Sequence, residues 1–347
     1  MRNDNPQSEI CNLQFAVCSL QSAVCNPQSA ISGATRLAGV MGWPVSHSLS
    51  PSMHNAAFAA LGLDWVYVPL PVAPERLADA VRGLAALGFA GSNATIPHKT
   101  GLVPLMDELT LTAAAIASVN TIIVREDGSL LGDSTDGYGF LADLWDHGVA
   151  VTAHAAVQRA SPSLADGLRP DDPGRPAYAP STRPTRLCGR ALVIGAGGAA
   201  RAIVYALAER GAVVAVANRT RAAADELCAL IARALPAADV TAHPFPDALP
   251  ALAAESDLIV NTTSLGLHGD ADGLPWDPAV SFRPDQVAYD LIYNVPTPFL
   301  ALAQASGALA INGLGMLVHQ GAASFELWTG LPAPVDVMYA AVREHQT

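Results

Sequence analysis

Lysine is almost missing from this chain. Of its 19 basic residues 18 are arginine, and the single lysine among the 347 positions is Lys99. Either cation serves a surface ion pair, but an ammonium shifts its pKa and exchanges a proton far more readily than a guanidinium, so Lys99 is a candidate for acid–base work. Charge of any sign is scarce, at 14% against roughly 25% in ordinary soluble chains, while 51% of residues are hydrophobic. That balance excludes a highly charged, core-poor disordered chain. Positive charge is in deficit, with 31 acids and a net charge of −12, which disfavours bulk nucleic-acid binding. Long apolar runs are missing, and the start, Met1-Arg2-Asn3-Asp4, continues into Gln, Ser, Asn and Cys and not into an apolar signal core. No membrane span and no secretion signal are therefore expected. Cysteine is limited to five residues without metal-type C-x-x-C spacing, which points to reduced thiols, a cytoplasmic setting and no metal.

The length suggests two domains at about 150 residues each. Residues 5–32 repeat every seven positions as NPQSEIC, NLQFAVC, SLQSAVC and NPQSAIS. Pro6 and Pro27 bracket fewer heptads than a coiled coil needs, so residues 1–34 are expected to be a disordered low-complexity extension. Residues 35–149 alternate strand and helix signals. The strands are LAGVMG, DWVYVPLPV, FAGSNATI and NTIIVRED; the helices open after Ser50-Pro51, at PERLADAVRGLAAL, in a stretch running to Ala117, and from Asp136 through His147. Residues 150–187, with six prolines, read as a linker or surface insertion. A second alternating run, 188–313, carries strands ALVIG, AVVAVAN, DLIVNT and QVAYDLIY, and helices close the chain over 314–347. Alternation of this kind predicts an α/β fold of two domains, an N-terminal α/β substrate-binding catalytic domain and a Rossmann-type nucleotide-binding domain.

The second run opens with an apolar strand, then Gly195-Ala196-Gly197-Gly198-Ala199-Ala200, then an amphipathic helix. In that context G-x-G-x-x-A is a dinucleotide signature: Gly195 for the tight turn, Gly197 for close approach of a pyrophosphate, Ala200 for helix-to-strand packing. Some 20 residues on, an NAD enzyme would carry an acid for the ribose. This chain has Asn218-Arg219-Thr220 there, and the Arg219 fork with the Thr220 hydroxyl suits a 2′-phosphate. The expected cofactor is NADP(H).

Six further motifs, in order, carry a likeness that covers nearly the whole chain from Arg36 onward. They are GWPVSHSLSPSMHN, GSNATIPHK, SVNTI, GDSTDGYG, DLIY and NGLGMLVHQ. Together they resemble shikimate dehydrogenase. The resemblance implies reversible NADPH-dependent reduction of 3-dehydroshikimate to shikimate, on the route to chorismate and the aromatic amino acids. It makes Lys99 and Asp136 the catalytic pair. It implies Ser48 and Ser50 on the substrate carboxylate, Thr95, Asn120, Tyr293 and Gln320 on the rest of the substrate, and Leu291, Gly313 and Met316 around the nicotinamide. A ketone reduction needs a hydride, stabilisation of the developing oxyanion and a proton, and a lysine held by an aspartate supplies the last two. The chain departs from the family pattern at Ser134, where an Asn is usual, at His98, where an apolar or aromatic residue is usual, and in the 150–187 insertion. His98 is expected to be an exposed loop residue. The alternatives are a quinate/shikimate dehydrogenase of broader range and an inactive NADP-binding regulatory relative. A folate-type dehydrogenase is disfavoured by the paired serines. A homodimer is compatible with these residues but not specified by them.

Overall fold

The computed structural model describes residues 31–154, 184–267 and 273–344. Residues 5–30 of the 5–32 heptad repeat and the middle of the proline-rich segment lie outside the described residues.

The chain opens with β1 (Arg36–Gly42), α1 (Ser50–Ala60), β2 (Trp65–Pro71), α2 (Leu77–Ala86), β3 (Phe89–Ala94), β4 (Glu108–Leu109), α3 (Leu111–Ile116), β5 (Thr121–Val124), β6 (Leu130–Asp133) and α4 (Asp136–Asp146). Its six strands form a mixed sheet in the order β2-β1-β3-β5-β6-β4. β1, β2 and β3 run parallel, joined by helical crossovers, while β5 and β6 form an antiparallel hairpin. The hairpin turns at Asp127-Gly128: Gly128 has φ +83 and the Asp127 carboxylate accepts from the Ser129 amide at 2.9 Å. The helical stretch expected up to Ala117 is reduced to α3, because Pro97, Gly101 and Pro104 break the preceding segment into turns and one short 3-10 piece at Val103–Leu105.

Next come β7 (Val149–Val151) and β8 (Arg186–Cys188), which pair in parallel, so the proline-rich segment begins and ends in strand. They are followed by β9 (Arg190–Ile194), α5 (Gly198–Glu209), β10 (Val213–Asn218), α6 (Arg221–Ala234), β11 (Val240–Pro244), α7 (Leu249–Glu255), β12 (Leu258–Asn261), β13 (Val287–Asp290), α8 (Pro298–Ala305) and β14 (Leu309–Asn312). The second sheet is ordered β11-β10-β9-β12-β13-β14, every pairing parallel. Numbered from β9, this is the doubly wound order 3-2-1-4-5-6, whose ligands bind beyond the carboxyl ends of the strands at the switch point. Strands buried on both faces by helices must be apolar throughout, and β12, Leu-Ile-Val-Asn, is buried at every position.

After β14 the chain returns to the first sheet as α9 (Leu314–Thr329) and α10 (Val335–Arg343). Phe325, Trp328, Met338 and Val342 join Val40, Met53, Phe58 and Tyr67 in one core. Meanwhile Phe140 and Leu144 of α4 pack into the core under β9 and α5, so the two halves share apolar contacts through α4. Helices α4 and α9 approach so closely that a Cβ at Gly139 would lie 2.7 Å from the Met316 carbonyl oxygen and the Gln320 amide nitrogen. Only glycine fits there.

Candidate active site

The chain leaves β3 through Thr95 and turns tightly, the His98 amide donating to the Thr95 carbonyl at 2.9 Å, which delivers Lys99 just beyond the carboxyl end of β3. Lys99 Nζ donates to Asp136 Oδ2 at 2.6 Å, with the lysine side chain 16% and the aspartate 4% exposed. Asp136 is the first residue of α4, where the helix N-terminus favours negative charge. Its second oxygen, Oδ1, accepts from Asn120 Nδ2 at 2.9 Å. The pair is thus a charge-assisted hydrogen bond whose acceptor is fixed from behind.

Asn120 is itself fully engaged. Its amide nitrogen also reaches Gln320 Oε1 at 3.2 Å and Thr135 Oγ1 at 3.0 Å, and its carbonyl accepts from the Thr135 amide at 2.8 Å. A second layer supports the first: Tyr67 Oη donates to Asn93 Oδ1 at 2.8 Å, Asn93 Nδ2 donates to Ser324 Oγ at 2.9 Å, and Ser324 Oγ meets Thr121 Oγ1 at 2.8 Å. All of these side chains are buried, and a network satisfied in this way is stiff. Burial drives the Tyr67 hydroxyl well above its ordinary pKa, so it serves as a permanent donor.

Opposite lies the glycine turn. Gly195 has φ +114, and a Cβ there would come within 2.4 Å of Thr262 Oγ1. Gly197 stands at the N-terminus of α5, and a Cβ added to it meets no atom within 4 Å, so open space faces the unpaired amides of the first turn. A pyrophosphate fits against those amides, as the sequence pattern requires. The turn also touches the first half directly: a Cβ on Gly198 would be 3.1 Å from Lys99 Cβ, and Ser118 Oγ donates to the Gly198 carbonyl at 3.4 Å.

Between the two walls is a cleft of about 580 Å³. Ser48, Ser50, Thr95, Lys99, Asp136 and Gln320 line it from the first half. Ala196, Gly197, Gly198 and Ala199 line it from the glycine turn, Leu291 and Tyr293 from the loop after β13, Gly313 from the residue after β14 and Met316 from the first turn of α9. Burial pushes the Tyr293 hydroxyl up to about 12, which keeps it protonated at working pH. Asn120 lies one layer behind the cleft surface, buried, with its amide spent on Asp136 and Gln320. Asn218, Arg219 and Thr220 sit apart, at the end of β10, where Arg219 and Thr220 are exposed and Asn218 Nδ2 donates to the Thr220 carbonyl at 2.9 Å.

His98 differs from expectation. It is 2% exposed, not a solvated loop residue, and its Nε2 lies 2.7 Å from the Val72 carbonyl oxygen, because the turn after β3 folds back over the end of β2. Ser134 is buried beside Asp133, whose Oδ1 accepts from the Ser134 amide at 2.8 Å. Several cleft residues escaped the sequence reading. Asn93 was within reach, since it lies inside the GSNATIPHK motif. Thr262, Thr263 and Ser264 follow the carboxyl end of β12, where the doubly wound topology places ligands. Among the described residues no cluster of three His, Cys, Asp or Glu side chains could hold a metal, and no helix is long and apolar enough to cross a membrane.

Comparison with known proteins adds independent findings. Residues 40–122 match the shikimate dehydrogenase substrate binding domain, residues 183–267 the family described as shikimate / quinate 5-dehydrogenase, and residues 313–343 the shikimate 5′-dehydrogenase C-terminal domain. The shikimate dehydrogenase (NADP(+)) of Citrifermentans bemidjiense is 43% identical over 91% of this chain and 98% of its own. A solved shikimate dehydrogenase in complex with NADP+ superposes with a TM-score of 0.74 at 33% identity, covering 91% of this chain and 98% of that one. The Thermus thermophilus shikimate 5-dehydrogenase in complex with NADP(H) and shikimate gives 0.71 at 32% identity, over 90% and 100% of the two chains.

Proposed function

The chain belongs to the shikimate dehydrogenase family, and we propose from that premise that its cleft carries out the reversible NADPH-dependent reduction of 3-dehydroshikimate to shikimate, with Lys99 and Asp136 as the catalytic pair. The observation that carries the reading is the 2.6 Å Lys99–Asp136 bond set directly against the glycine turn of the nucleotide half.

The bound nicotinamide supplies a hydride to the ring carbon bearing the ketone. All else falls to side chains. Lys99, oriented by Asp136, hydrogen-bonds the ketone oxygen, stabilises the negative charge that develops on it and delivers the proton that completes the alcohol. In the reverse direction the same amine takes the hydroxyl proton. Asp136 holds the amine through Oδ2, its second oxygen anchored by Asn120. Ser48 and Ser50 donate hydroxyls to the substrate carboxylate near the start of α1. Thr95, Tyr293 and Gln320 bind its ring hydroxyls, and Asn120 acts by holding Gln320 and Asp136 in register. The amides of residues 196–199 would hold the pyrophosphate, Leu291, Gly313 and Met316 would border the nicotinamide, and Arg219 with Asn218 and Thr220 would take the 2′-phosphate.

The proposed setting is the cytoplasm, and sedimentation of the purified chain distinguishes a homodimer from a monomer. The direct test follows absorbance at 340 nm while shikimate and quinate are crossed against NADP and NAD. Turnover dominated by shikimate with NADP is the expected result. Turnover led by quinate or NAD would transfer the assignment to the broader-range enzyme, and NADP binding without turnover of any pair would leave a regulatory module.

A further inference from the structure

Asp290 ends β13, has no exposed surface, and takes no part in the chemistry described above. Its Oδ1 accepts from Asn261 Nδ2 at 2.9 Å and from the Ile292 amide at 3.1 Å. Its Oδ2 accepts from Thr297 Oγ1 at 2.7 Å, and Thr297 caps α8 by accepting from the Leu300 amide. Asn261, the last residue of β12, in turn accepts from the Thr263 amide at 3.0 Å and from Thr263 Oγ1 at 2.7 Å. One buried carboxylate therefore ties together the loop after β12, the loop after β13 and the start of α8. Both loops border the cleft, through Thr263 on one and Tyr293 on the other.

We propose that Asp290 is a positioning residue which, as a carboxylate, locks the Thr263 and Tyr293 loops in the geometry that grips the hydroxy-acid substrate, and which loosens that grip when it takes up a proton. This rests on the functional reading above and adds a control to the same site. The three donors are neutral, so ionisation of Asp290 makes each bond charge-assisted, and protonation returns all three to roughly half that strength. A protonated Oδ2 would also face the Thr297 hydroxyl with a donor where that hydroxyl now finds an acceptor.

The surroundings make the group easy to isolate. The neighbouring elements β12 (LIVN), β14 (LAIN) and α8 (PFLALAQA) contain no titratable side chain. β13 contributes only Tyr289, whose hydroxyl points away to Asp143 at 2.6 Å, and the following loop contributes only Tyr293. Burial pushes the Asp290 carboxyl up to about 6, against the opposing pull of Thr297, the Ile292 amide and Asn261. Substrate affinity must then fall as pH drops through that value.

The test is calorimetric titration of shikimate into the full-length, cofactor-free protein, comparing the unmodified chain with Asp290→Asn and Thr297→Val. For the unmodified chain the dissociation constant is expected to rise about tenfold from about pH 7.5 to about pH 5, one decade for each pH unit below the group's pKa. Asp290→Asn is expected to bind weakly already at the higher pH and to converge with the unmodified chain at the lower. Thr297→Val should fall between them, and both variants should raise the KM for shikimate more than they lower kcat. Thermal melts establish that each variant is folded, and should Asp290→Asn not fold, Thr297→Val decides alone. Folded variants whose affinities track those of the unmodified chain at every pH would overturn the proposal. An unmodified chain that neither binds nor turns over shikimate would overturn the functional reading beneath it, so the two failures are distinct.

Discussion

On the side of the first sheet, Asp136 is held by Lys99 and Asn120, Asn120 by Thr135 and Gln320, and Asn93 by Tyr67 and Ser324, each link a side chain of a particular kind. On the side of the second sheet, the same cleft is shaped by a glycine turn and a helix N-terminus, where the main chain does the work and side chains must be kept out. The contrast teaches that a substitution on the first wall removes a function, whereas one on the second wall does harm mainly by adding atoms.

Lys99→Met breaks the first wall at its centre and should give the largest effect. Removing a positioned acid–base group typically costs 10²- to 10⁴-fold in rate, so kcat should fall by about that much while shikimate still binds, as read from 340 nm progress curves and calorimetry. Gly139→Ala breaks the comparison, since on the helix that carries Asp136 it adds one methyl between α4 and α9, where backbone atoms stand 2.7 Å from the new carbon. Overpacking of this sort costs typically 1–3 kcal/mol, and denaturant melts should show a loss of about that size with Lys99 chemistry otherwise intact. Arg219→Ala tests the second wall where it does use a side chain. Loss of a charge-assisted pair, worth about 1.5–3 kcal/mol, should raise the KM for NADP by roughly tenfold or more and leave that for NAD nearly unchanged.

The smallest effect on turnover sharpens the comparison from inside the first wall. His54 is wholly buried, stacked on Tyr67 at 4.3 Å between ring centroids, and neither of its ring nitrogens has a hydrogen-bond partner. Burial lowers its pKa from 6.5 to about 3. The unfolded chain then binds a proton that the folded one refuses, so stability is full above about pH 6.5 and is lost as pH falls, by about 1.4 kcal/mol per unit. His54→Phe keeps the stacking ring and should flatten this part of the pH–stability curve while barely changing turnover. Melts of both forms across that range check the sign.

Legibility in the sequence followed the same division. The glycine turn was readable because its requirements are local: a strand, a positive-φ residue and a helix start adjoin one another in the chain. Lys99 stood out by its scarcity, but Asp136 needed the family likeness, since nothing local marks an aspartate at a helix start as the partner of a lysine 37 positions away. Asn93 and Ser324, separated by 231 positions, were invisible as a pair because their bond exists only once α9 has packed against the first sheet. His98 departs from expectation for a related reason, its burial depending on a fold-back against Val72 that no periodicity announces.

The return of α9 and α10 to the first sheet sets the order in which this protein can be completed during synthesis. Leu314, Val318, Phe325, Trp328, Met338 and Val342 close the core that Ala38, Val40, Met53 and Phe58 begin. A ribosome adding about 5–20 residues per second finishes the whole nucleotide half before it emits the cover of the half it made first. The first sheet must therefore wait with an open apolar face, while the second half has its own strands and crossover helices in hand. The half proposed to hold the substrate is the first to be translated and the last to be built.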